Sequence, residues 1–243
     1  MKIFIWTSIL TLAAILRLSG QLVQKSNLQY KNATYDVFVI HCDSNLFKTI
    51  TILENTSGAD EESYFNSLST QSPFFCITAG IVDSSCSPLG LYVENSVVKH
   101  PVNNDKGNGN FYLKPNGVLM VDSAITITDA EHYTSTTAVT AIQSGPMLLV
   151  NGKVHPGFDP KSANRNFRCG AGIYSDKGQT FLVFIKSLTP ISFYTFAEIF
   201  KDKYKCTAAL NLESGANCSM HLPTIKKSYS IKTKICRYIF IKL

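Results

Sequence analysis

The segment 180–213 constrains the fold most, because it reads as a strand, a helix and a second strand in succession. Thr180–Ile185 is almost continuously apolar, as a buried strand is. Ser192 has the character of a helix N-cap, and aromatic residues at helical spacing predict a helix from there to about Tyr204. The apolar Thr207–Leu212 then forms the second strand. Because such units make right-handed crossovers, the two strands are predicted to be parallel neighbours in one sheet.

Short strands separated by turns are predicted through the rest of the chain. β-branched and aromatic runs indicate a strand at Tyr35–Ile40, a partner for it at Lys48–Leu53, and a third strand at Phe74–Gly80. Three hairpins are predicted: Leu89–Val93 with Val97–His100, Asn110–Lys114 with Val118–Asp122, and Met147–Val150 with Lys153–His155. The expected fold class is α+β: a mixed β-sheet with several hairpins, one clear helix in the C-terminal half and a β-α-β crossover, in a single domain.

The N-terminus has the pattern of a targeting segment. Lys2 supplies the positive charge, Ile3–Leu16 is an apolar run, and Arg17 follows it. The run is short for a membrane span, so residues 1–20 are interpreted as a secretory signal peptide, with an uncleaved signal anchor as the alternative. The protein is therefore expected to be secreted or to remain in the lumen of the secretory pathway.

Seven cysteines fit an oxidising compartment, where most of them should form disulfides. Cys76 and Cys86 bracket a short loop and are the pair that the spacing favours. Sequons at Asn32 and Asn55 fall in expected loops and predict N-glycosylation there. A third sequon, at Asn217, lies beside the candidate site described below, where a glycan would block access, so it is predicted to stay unmodified.

The positive charge of the chain is concentrated towards its C-terminus. The formal net charge is +6, and the tail 226–243 carries six Lys and Arg residues without one acid. We interpret this tail as a solvated edge strand or basic tail that follows a domain spanning residues 21–225, with a weak contact to a polyanion or a membrane surface as a further role. The basic residues form no groove-sized patch, so nucleic-acid binding is not expected. The sequence calls for no cofactor, and it leaves the use of a divalent cation open.

One carboxylate stands out as a candidate functional group. Glu213 directly follows the strand Thr207–Leu212, and a strand end holds a side chain in one orientation. Ser214 and Gly215 are small enough for a ligand to approach their backbone N–H groups, although a capped turn with a surface Glu is the plainer interpretation. Thr78 and Gly80 end another apolar strand in the same way.

Further polar residues complete the candidate site. Gln143 and Ser144 offer directional hydrogen bonds in front of a Gly-Pro pair, and Asn110 follows a loop rich in Gly and Asn. Arg165 and Arg168 lie in one loop, and a guanidinium fork matches phosphate oxygens well, but surface arginines of no special function are an equal alternative.

Several segments, in this order, together resemble the phosphodiester glycosidase family, and its bacterial branch most. They are Ile77-Thr-Ala-Gly-Ile81, Pro88-Leu-Gly-Leu-Tyr-Val-Glu-Asn95, Gly109-Asn-Phe-Tyr-Leu-Lys-Pro-Asn-Gly117, Gln143-Ser-Gly-Pro-Met-Leu-Leu-Val-Asn-Gly-Lys153, Val154-His-Pro156, Arg168 and Leu210-Asn-Leu-Glu-Ser-Gly215. The resemblance implies hydrolysis of the bond between a sugar and a phosphodiester, on the sugar side. Glu213 would then be the carboxylate near the anomeric carbon, Arg165 or Arg168 would hold the phosphate, and Gln143, Ser144 and Asn110 would orient oxygens of the substrate.

Two functions remain open at this point, and a purely structural protein held by disulfides is a distant third. Phosphate is a good leaving group, so we hypothesise that one well-placed carboxylate suffices for an active glycosidase. The alternative is a catalytically inactive protein that binds a glycan or sugar phosphate on the same fold, because Glu213-Ser214-Gly215 stands where the family usually has Asp-Gly-Gly. The first function requires Glu213 and both arginines to converge on one cavity.

Overall fold

The computed structural model describes residues 14–18, 21–44, 46–56, 60, 63–64, 68, 74–221 and 235–243. The strands are β1 Ala14–Leu18, β2 Gln21–Tyr30, β3 Ala33–His41, β4 Ile50–Glu54, β5 Phe74–Thr78, β6 Tyr92–Glu94, β7 Val97–His100, β8 Gly117–Val121, β9 Ile125–Asp129, β10 Thr140–Ser144, β11 Met147–Val150, β12 Lys153–Val154, β13 Arg168–Asp176, β14 Gln179–Ser187, β15 Ala208–Ser214, β16 Met220–His221 and β17 Arg237–Lys242. The helices are α1 Leu46–Thr49 and α2 Phe193–Asp202. The described part of the chain is therefore mostly β-sheet with few helices, which is consistent with the α+β class.

The strands form three sheets, and every neighbouring pair among the described strands is antiparallel. The largest sheet has the order β1-β2-β3-β14-β13-β15-β11-β12, the second β7-β6-β10-β8-β9, and the third β16-β5-β17-β4. The expectation of a mixed sheet with parallel neighbours is wrong. Buried side chains between the sheets make one large core, and α2 covers the outer face of the largest sheet with a second core.

The crossover exists, but a third strand separates its two strands. β14 and β15 run parallel to each other, and β13 lies between them, antiparallel to both. The cause is a tight hairpin between β13 and β14, whose turn residues Lys177 and Gly178 have φ values of 48° and 78°. The Gly-rich β13 has little of a strand's usual composition, and a Cβ on Gly172 would lie 2.6 Å from Phe200 Cδ1. The glycine thus lets α2 approach the sheet closely.

The predicted helix is confirmed. The Ser192 hydroxyl accepts a hydrogen bond from the backbone N–H of Thr195 at 3.1 Å, as an N-cap does. Phe196, Ala197 and Phe200 are fully buried on the face that meets the sheet. Among the described residues, no helix has both the length and the hydrophobicity that a membrane crossing requires.

Two of the three predicted hairpins are confirmed, and one is wrong. β6 pairs with β7, and β11 pairs with β12, with Asn151 and Gly152 in the turn of the second hairpin. Residues Asn110–Tyr112 instead form a short 3-10 helix. β8 pairs with β9, the next strand along the chain. The predicted partner of β3 is also wrong, because β4 pairs with β17.

The end of the predicted basic tail is an interior strand rather than an edge strand. β17 lies between β5 and β4, hydrogen-bonded to both. Its residues are apolar on both faces: Ile239 and Ile241 join the main core, and Tyr238 and Phe240 pack on the other side. Four of the six basic residues of the tail lie in 226–234, outside the described residues, so the contact of the tail with a polyanion or membrane stays a prediction. Most of the proposed signal segment also lies outside them, apart from β1, which pairs with β2.

Two disulfides join distant parts of the chain. Cys86 is bonded to Cys236, and Cys169 to Cys218, so the predicted Cys76–Cys86 pair is wrong. Cys76 is a fully buried residue in the middle of β5, whereas Cys86 lies in the loop after that strand. The Cys86 thiol therefore reaches the residue that precedes β17 instead of its near neighbour in sequence.

We expect the Cys86–Cys236 disulfide to contribute strongly to stability, because it closes a loop of 150 residues. Replacing both cysteines with Ser should lower the free energy of unfolding by about 2–5 kcal/mol in a urea titration. Cys42→Ser is the matched control, since Cys42 is half-buried and forms no disulfide. A loss no larger than that of the control would contradict this expectation.

Candidate active site

A cavity of about 360 Å³ lies where the ends of β5 and β15 meet the start of β17. It is lined by polar side chains from three distant parts of the chain and by the Cys86–Cys236 disulfide. The lining residues that matter for the chemistry are Thr78, Gly80, Asp83, Glu213, Asn217 and Arg237. The structure thus brings together three of the predicted site residues, Thr78, Gly80 and Glu213, and adds two charged residues that had not been singled out.

Glu213 is the buried acid of this cavity. Only 9% of the residue is exposed, and its Oε1 accepts a hydrogen bond of 2.8 Å from the backbone N–H of Ser214. Burial raises the pKa of Glu213 to about 7, although this hydrogen bond acts in the opposite direction. The carboxyl group therefore keeps its proton up to near neutral pH and is suited to act as an acid.

Arg237, the first residue of β17, is the cation of the cavity. Its Nε donates to Glu54 Oε1 at 2.8 Å and its Nη1 to the carbonyl of Cys86 at 2.8 Å. The guanidinium also lies 5.1 Å from the centre of the Tyr92 ring. These contacts fix the guanidinium in place, and no further partner for Nη2 is found among the described residues. In the sequence this Arg looked like one of several basic tail residues.

Asp83 lies in the loop after β5, exposed at the edge of the cavity. Its Oδ1 accepts hydrogen bonds from the Ser85 hydroxyl (2.7 Å), the Ser85 N–H (2.8 Å) and the Ser87 N–H (2.9 Å). The Ser85 hydroxyl and the Ser87 N–H lower the pKa of Asp83, and the charge of Arg237 adds to the effect. Asp83 is therefore ionised under conditions in which Glu213 is protonated.

Thr78 and Gly80 shape the wall beside Glu213. The Thr78 hydroxyl donates to the carbonyl of Asn217 at 2.8 Å and accepts from the Ser219 N–H at 2.9 Å, which ties β5 to the segment after β15. Gly80 has a φ of +73°, and a Cβ there would lie 2.8 Å from Ile142 Cγ1. The cavity wall thus requires glycine at this position.

The predicted convergence of both arginines on Glu213 is wrong, so the glycosidase is not supported in the form that the sequence suggested, with Arg165 or Arg168 on the phosphate. The guanidinium that lines the cavity with Glu213 is that of Arg237. Arg168 lies opposite Ser214 in the β13–β15 ladder, and Cys169 lies opposite Glu213. Because side chains alternate along a strand, Arg168 and Glu213 face opposite sides of the sheet. The buried Arg168 guanidinium stacks 3.5 Å from the Phe193 ring and donates to Ser214 Oγ and the Ile191 carbonyl at 3.0 Å each. Arg165 is an exposed loop residue outside the cavity.

The predicted polar residues Gln143, Ser144 and Asn110 also lie outside the cavity. The Gln143 amide is buried and bonded on both sides, accepting from the N–H groups of Leu91 and Asn103 and donating to the Asn103 carbonyl. The Ser144 hydroxyl donates to the Leu212 carbonyl at 3.0 Å, and Asn110 is exposed. These contacts give Gln143 and Ser144 structural roles around β10.

The backbone N–H groups after Glu213 already have partners. That of Ser214 donates to Glu213 itself, and that of Gly215 donates to the Phe167 carbonyl at 2.8 Å. The expected approach of a ligand to these groups is therefore wrong. Ser214 has an extended backbone with φ −143°, so this position does not require glycine.

The three sequons have different surroundings. Asn32 is exposed in the turn between β2 and β3, where a glycan has room, and its modification stays a prediction. Asn55 is only 4% exposed, so the expectation that it lies in an exposed loop is wrong. Asn217 lines the cavity, where a glycan would cover the entrance.

We expect Glu213 to make the stability of the protein depend on pH. Its pKa of about 7 lies above the ordinary 4.5, so between these values the folded state holds a proton that the unfolded chain has released. The free energy of unfolding should therefore fall as the pH rises through this window. Glu213→Gln removes this titration and should be more stable than the wild type by about 3 kcal/mol at pH 8. Urea unfolding at pH 4 and pH 8 measures this, and an equal difference at both pH values would contradict it.

Among the described residues, no group of three or more His, Cys, Asp or Glu side chains is arranged to hold a metal ion. The charged or titratable side chains that line the cavity are those of Asp83, Glu213 and Arg237.

Comparisons with known proteins agree with this architecture. The sequence model of the phosphodiester glycosidase family matches residues 74–237. An uncharacterised protein of Escherichia coli K12, YigE, is 37% identical over 139 residues, which is 56% of this chain and 54% of that protein. The match thus spans about half the length of this relative.

Two solved structures share the fold. The catalytic domain of zebrafish N-acetylglucosamine-1-phosphodiester alpha-N-acetylglucosaminidase, auto-inhibited by its pro-peptide, aligns with a TM-score of 0.58 at 15% identity, covering 96% of this chain and 87% of that one. A hypothetical protein from Synechocystis aligns with a TM-score of 0.57 at 13% identity, covering 91% of this chain and 62% of that one. With the family match extending from β5 to the first residue of β17, these findings show that the chain belongs to the phosphodiester glycosidase family.

Proposed function

We propose that this protein is a hydrolase that releases a sugar from a sugar-1-phosphodiester, with Glu213 as the general acid and Arg237 as the group that attracts the phosphate. One observation carries the proposal: in a chain of this family, a buried carboxyl group shares a cavity with a fixed guanidinium. The pKa of that carboxyl group is about 7, so it holds its proton up to near neutral pH.

The chemistry of the bond matches these two groups. Cleavage on the sugar side leaves the electron pair of the broken bond on a phosphate oxygen. A proton from Glu213 would neutralise that oxygen, and the charge of Arg237 would stabilise the negative phosphate before and after cleavage. A protonated acid in a poorly solvated site is the form that this step requires.

The cavity has a suitable size and character. Its volume of about 360 Å³ falls within the range of roughly 300–1,000 Å³ in which small-molecule sites occur. The short segments that form it are held by the Cys86–Cys236 disulfide and by the hydrogen bonds of Thr78. A preformed wall of this kind favours precise positioning of a small substrate.

The second candidate function is the binding of a sugar phosphate without turnover. The contacts of Arg237 favour it. Its Nε and Nη1 already donate to Glu54 and to the Cys86 carbonyl, so few of the guanidinium N–H groups remain to bind a phosphate. Under this alternative, Glu213 would donate a hydrogen bond to the ligand without transferring its proton.

A turnover assay separates the two functions. The purified protein is incubated with UDP-sugars and with alkyl sugar-1-phosphodiesters, with and without a chelator, and the released free sugar is measured. Release of sugar by the wild type and its loss in Glu213→Gln support the hydrolase. Binding of the same compounds in calorimetry, with no free sugar after long incubation, supports the binding protein.

We also propose that the protein acts outside the cytoplasm. Two disulfides, one of which forms a wall of the cavity, are compatible with an oxidising compartment. Expression with the predicted signal segment and analysis of the culture medium tests this, and retention of reduced protein inside the cell would contradict it.

A further inference from the structure

A second carboxyl group, that of Asp83, lines the same cavity as Glu213 but differs from it in burial and in the direction of its pKa shift. Asp83 is exposed and comes from the loop after β5, whereas Glu213 is buried and comes from the end of β15. Hydrogen bonds from the Ser85 hydroxyl and the Ser87 N–H lower the pKa of Asp83, and burial raises that of Glu213. Two carboxyl groups whose surroundings separate their protonation states are the arrangement in which one serves as acid and the other as base.

The turn around Asp83 does not use the whole carboxylate. All three hydrogen bonds that hold it end on Oδ1. No partner of Oδ2 is found among the described residues, and Asp83 is open to solvent, so a water molecule can reach that oxygen. The other charged group that acts on Asp83 is Arg237, whose charge favours the ionised carboxylate.

We propose that Asp83 is the base of the reaction: its carboxylate takes a proton from the water molecule that attacks the anomeric carbon of the sugar. This inference rests on the proposed hydrolase function and adds a second group to it. The hypothesis that one carboxylate suffices for this leaving group is thereby replaced by an acid and a base that line one cavity.

The proposed step moves one proton to Asp83 and one proton from Glu213. The water oxygen forms a bond to the anomeric carbon and gives one proton to Asp83. The bond between that carbon and the phosphate oxygen breaks, its electron pair stays on the oxygen, and Glu213 gives that oxygen its proton. The products are a free sugar and a phosphomonoester, and both carboxyl groups then exchange protons with solvent to return to their starting states.

The size of the cavity is compatible with this division of roles. Its volume of about 360 Å³ lies in the range of small-molecule sites, so a sugar and an attacking water molecule have room in it. Direct attack by water, with one carboxyl group as acid and the other as base, is the inverting reaction of glycosidases, so the sugar should be released with inverted configuration at the anomeric carbon.

The test compares Asp83→Asn with the wild type on an alkyl sugar-1-phosphodiester over a range of pH. The Asn side-chain oxygen still accepts the hydrogen bonds of the turn, so the loop should keep its shape. We expect kcat to fall by about 10²–10³-fold, with KM changed less than about threefold. The acidic limb of the pH profile should disappear while the alkaline limb, set by Glu213, stays. Ser85→Ala, which removes one donor to Asp83, should move the acidic limb to higher pH.

The other possible results distinguish the role of Asp83 from the hydrolase function itself. If Asp83→Asn retains kcat within about threefold of the wild type while Glu213→Gln loses turnover, the role of Asp83 is overturned and the hydrolase stands. If Asp83→Asn is slow but keeps the acidic limb, Asp83 is only a turn residue and the proposal fails. Release of the sugar with retained configuration, followed by proton NMR, also overturns it. Absence of turnover by the wild type overturns both proposals together.

Discussion

Glu213→Gln is expected to reduce kcat on a sugar-1-phosphodiester by about 10³-fold, in the middle of the range for loss of a general acid. The amide has nearly the shape of the protonated carboxyl group, and its oxygen still accepts the Ser214 N–H, so the cavity should keep its form. What the variant lacks is a proton that it can give to the leaving oxygen. Steady-state kinetics at pH 6, where Glu213 holds its proton, measures the effect.

The control for this variant is Glu131→Gln. Glu131 is an exposed acid in the short 3-10 helix Ala130–His132, outside the cavity. Its replacement should leave kcat unchanged. A second check uses substrates with better leaving groups: if Glu213 protonates the leaving oxygen, the deficit of Glu213→Gln should shrink as the leaving group becomes more acidic. A deficit that is the same for all leaving groups would show that Glu213 is not the acid.

The second large effect is expected from Arg237→Gln, which should raise KM for the phosphodiester by about 10–100-fold. The replacement removes the positive charge from the cavity, and hydrogen bonds to charged groups contribute about 1.5–3 kcal/mol each. It also leaves Glu54 without its 2.8 Å partner, so the cavity becomes more negative. KM should become less sensitive to salt in the variant, because the attraction that salt screens has been removed.

Two comparisons make this prediction specific. Arg165→Gln removes one positive charge from an exposed loop outside the cavity and should leave KM unchanged within about twofold, as expected for a screened surface charge. A neutral aryl glycoside of the same sugar carries no phosphate, so Arg237→Gln should hardly change its KM. An equal loss with the neutral and the charged substrate would indicate that Arg237 supports the shape of the cavity rather than the phosphate.

Local features of the fold could be predicted from the sequence, and long-range pairings could not. The helix α2 was predictable because Ser192 and the periodic aromatic residues act within a few turns of one another. The insertion of β13 between β14 and β15 depends on a glycine-rich strand whose composition does not resemble a strand. β17 pairs with β4 and β5, two strands far away in sequence, and no local sequence pattern predicts these partners.

The residues of the candidate site also fall into those that a local sequence pattern indicates and those that only long-range contacts bring together. Glu213 could be found because an acid at the end of a buried apolar run is a local pattern, and in the structure it is the last residue but one of β15. The interpretation of Arg168 failed because the face on which its side chain lies is set by the β13–β15 register, which includes an irregularity between Cys169 and Gly170. Asp83 and Arg237 were missed because a disulfide and an interior strand bring them to the cavity from distant segments.

The position of β17 has a consequence for the way in which the protein is made. Arg237 and its partner Glu54 are 183 residues apart in the chain, so on the ribosome β4 and β5 are synthesised long before the strand that belongs between them. Until it arrives, each offers an unpaired apolar edge to other chains, and contacts of this span also slow folding. We infer that a chain terminated before β17 lacks the cavity and aggregates. The protein should therefore be most prone to aggregation during synthesis, before β17 has been made.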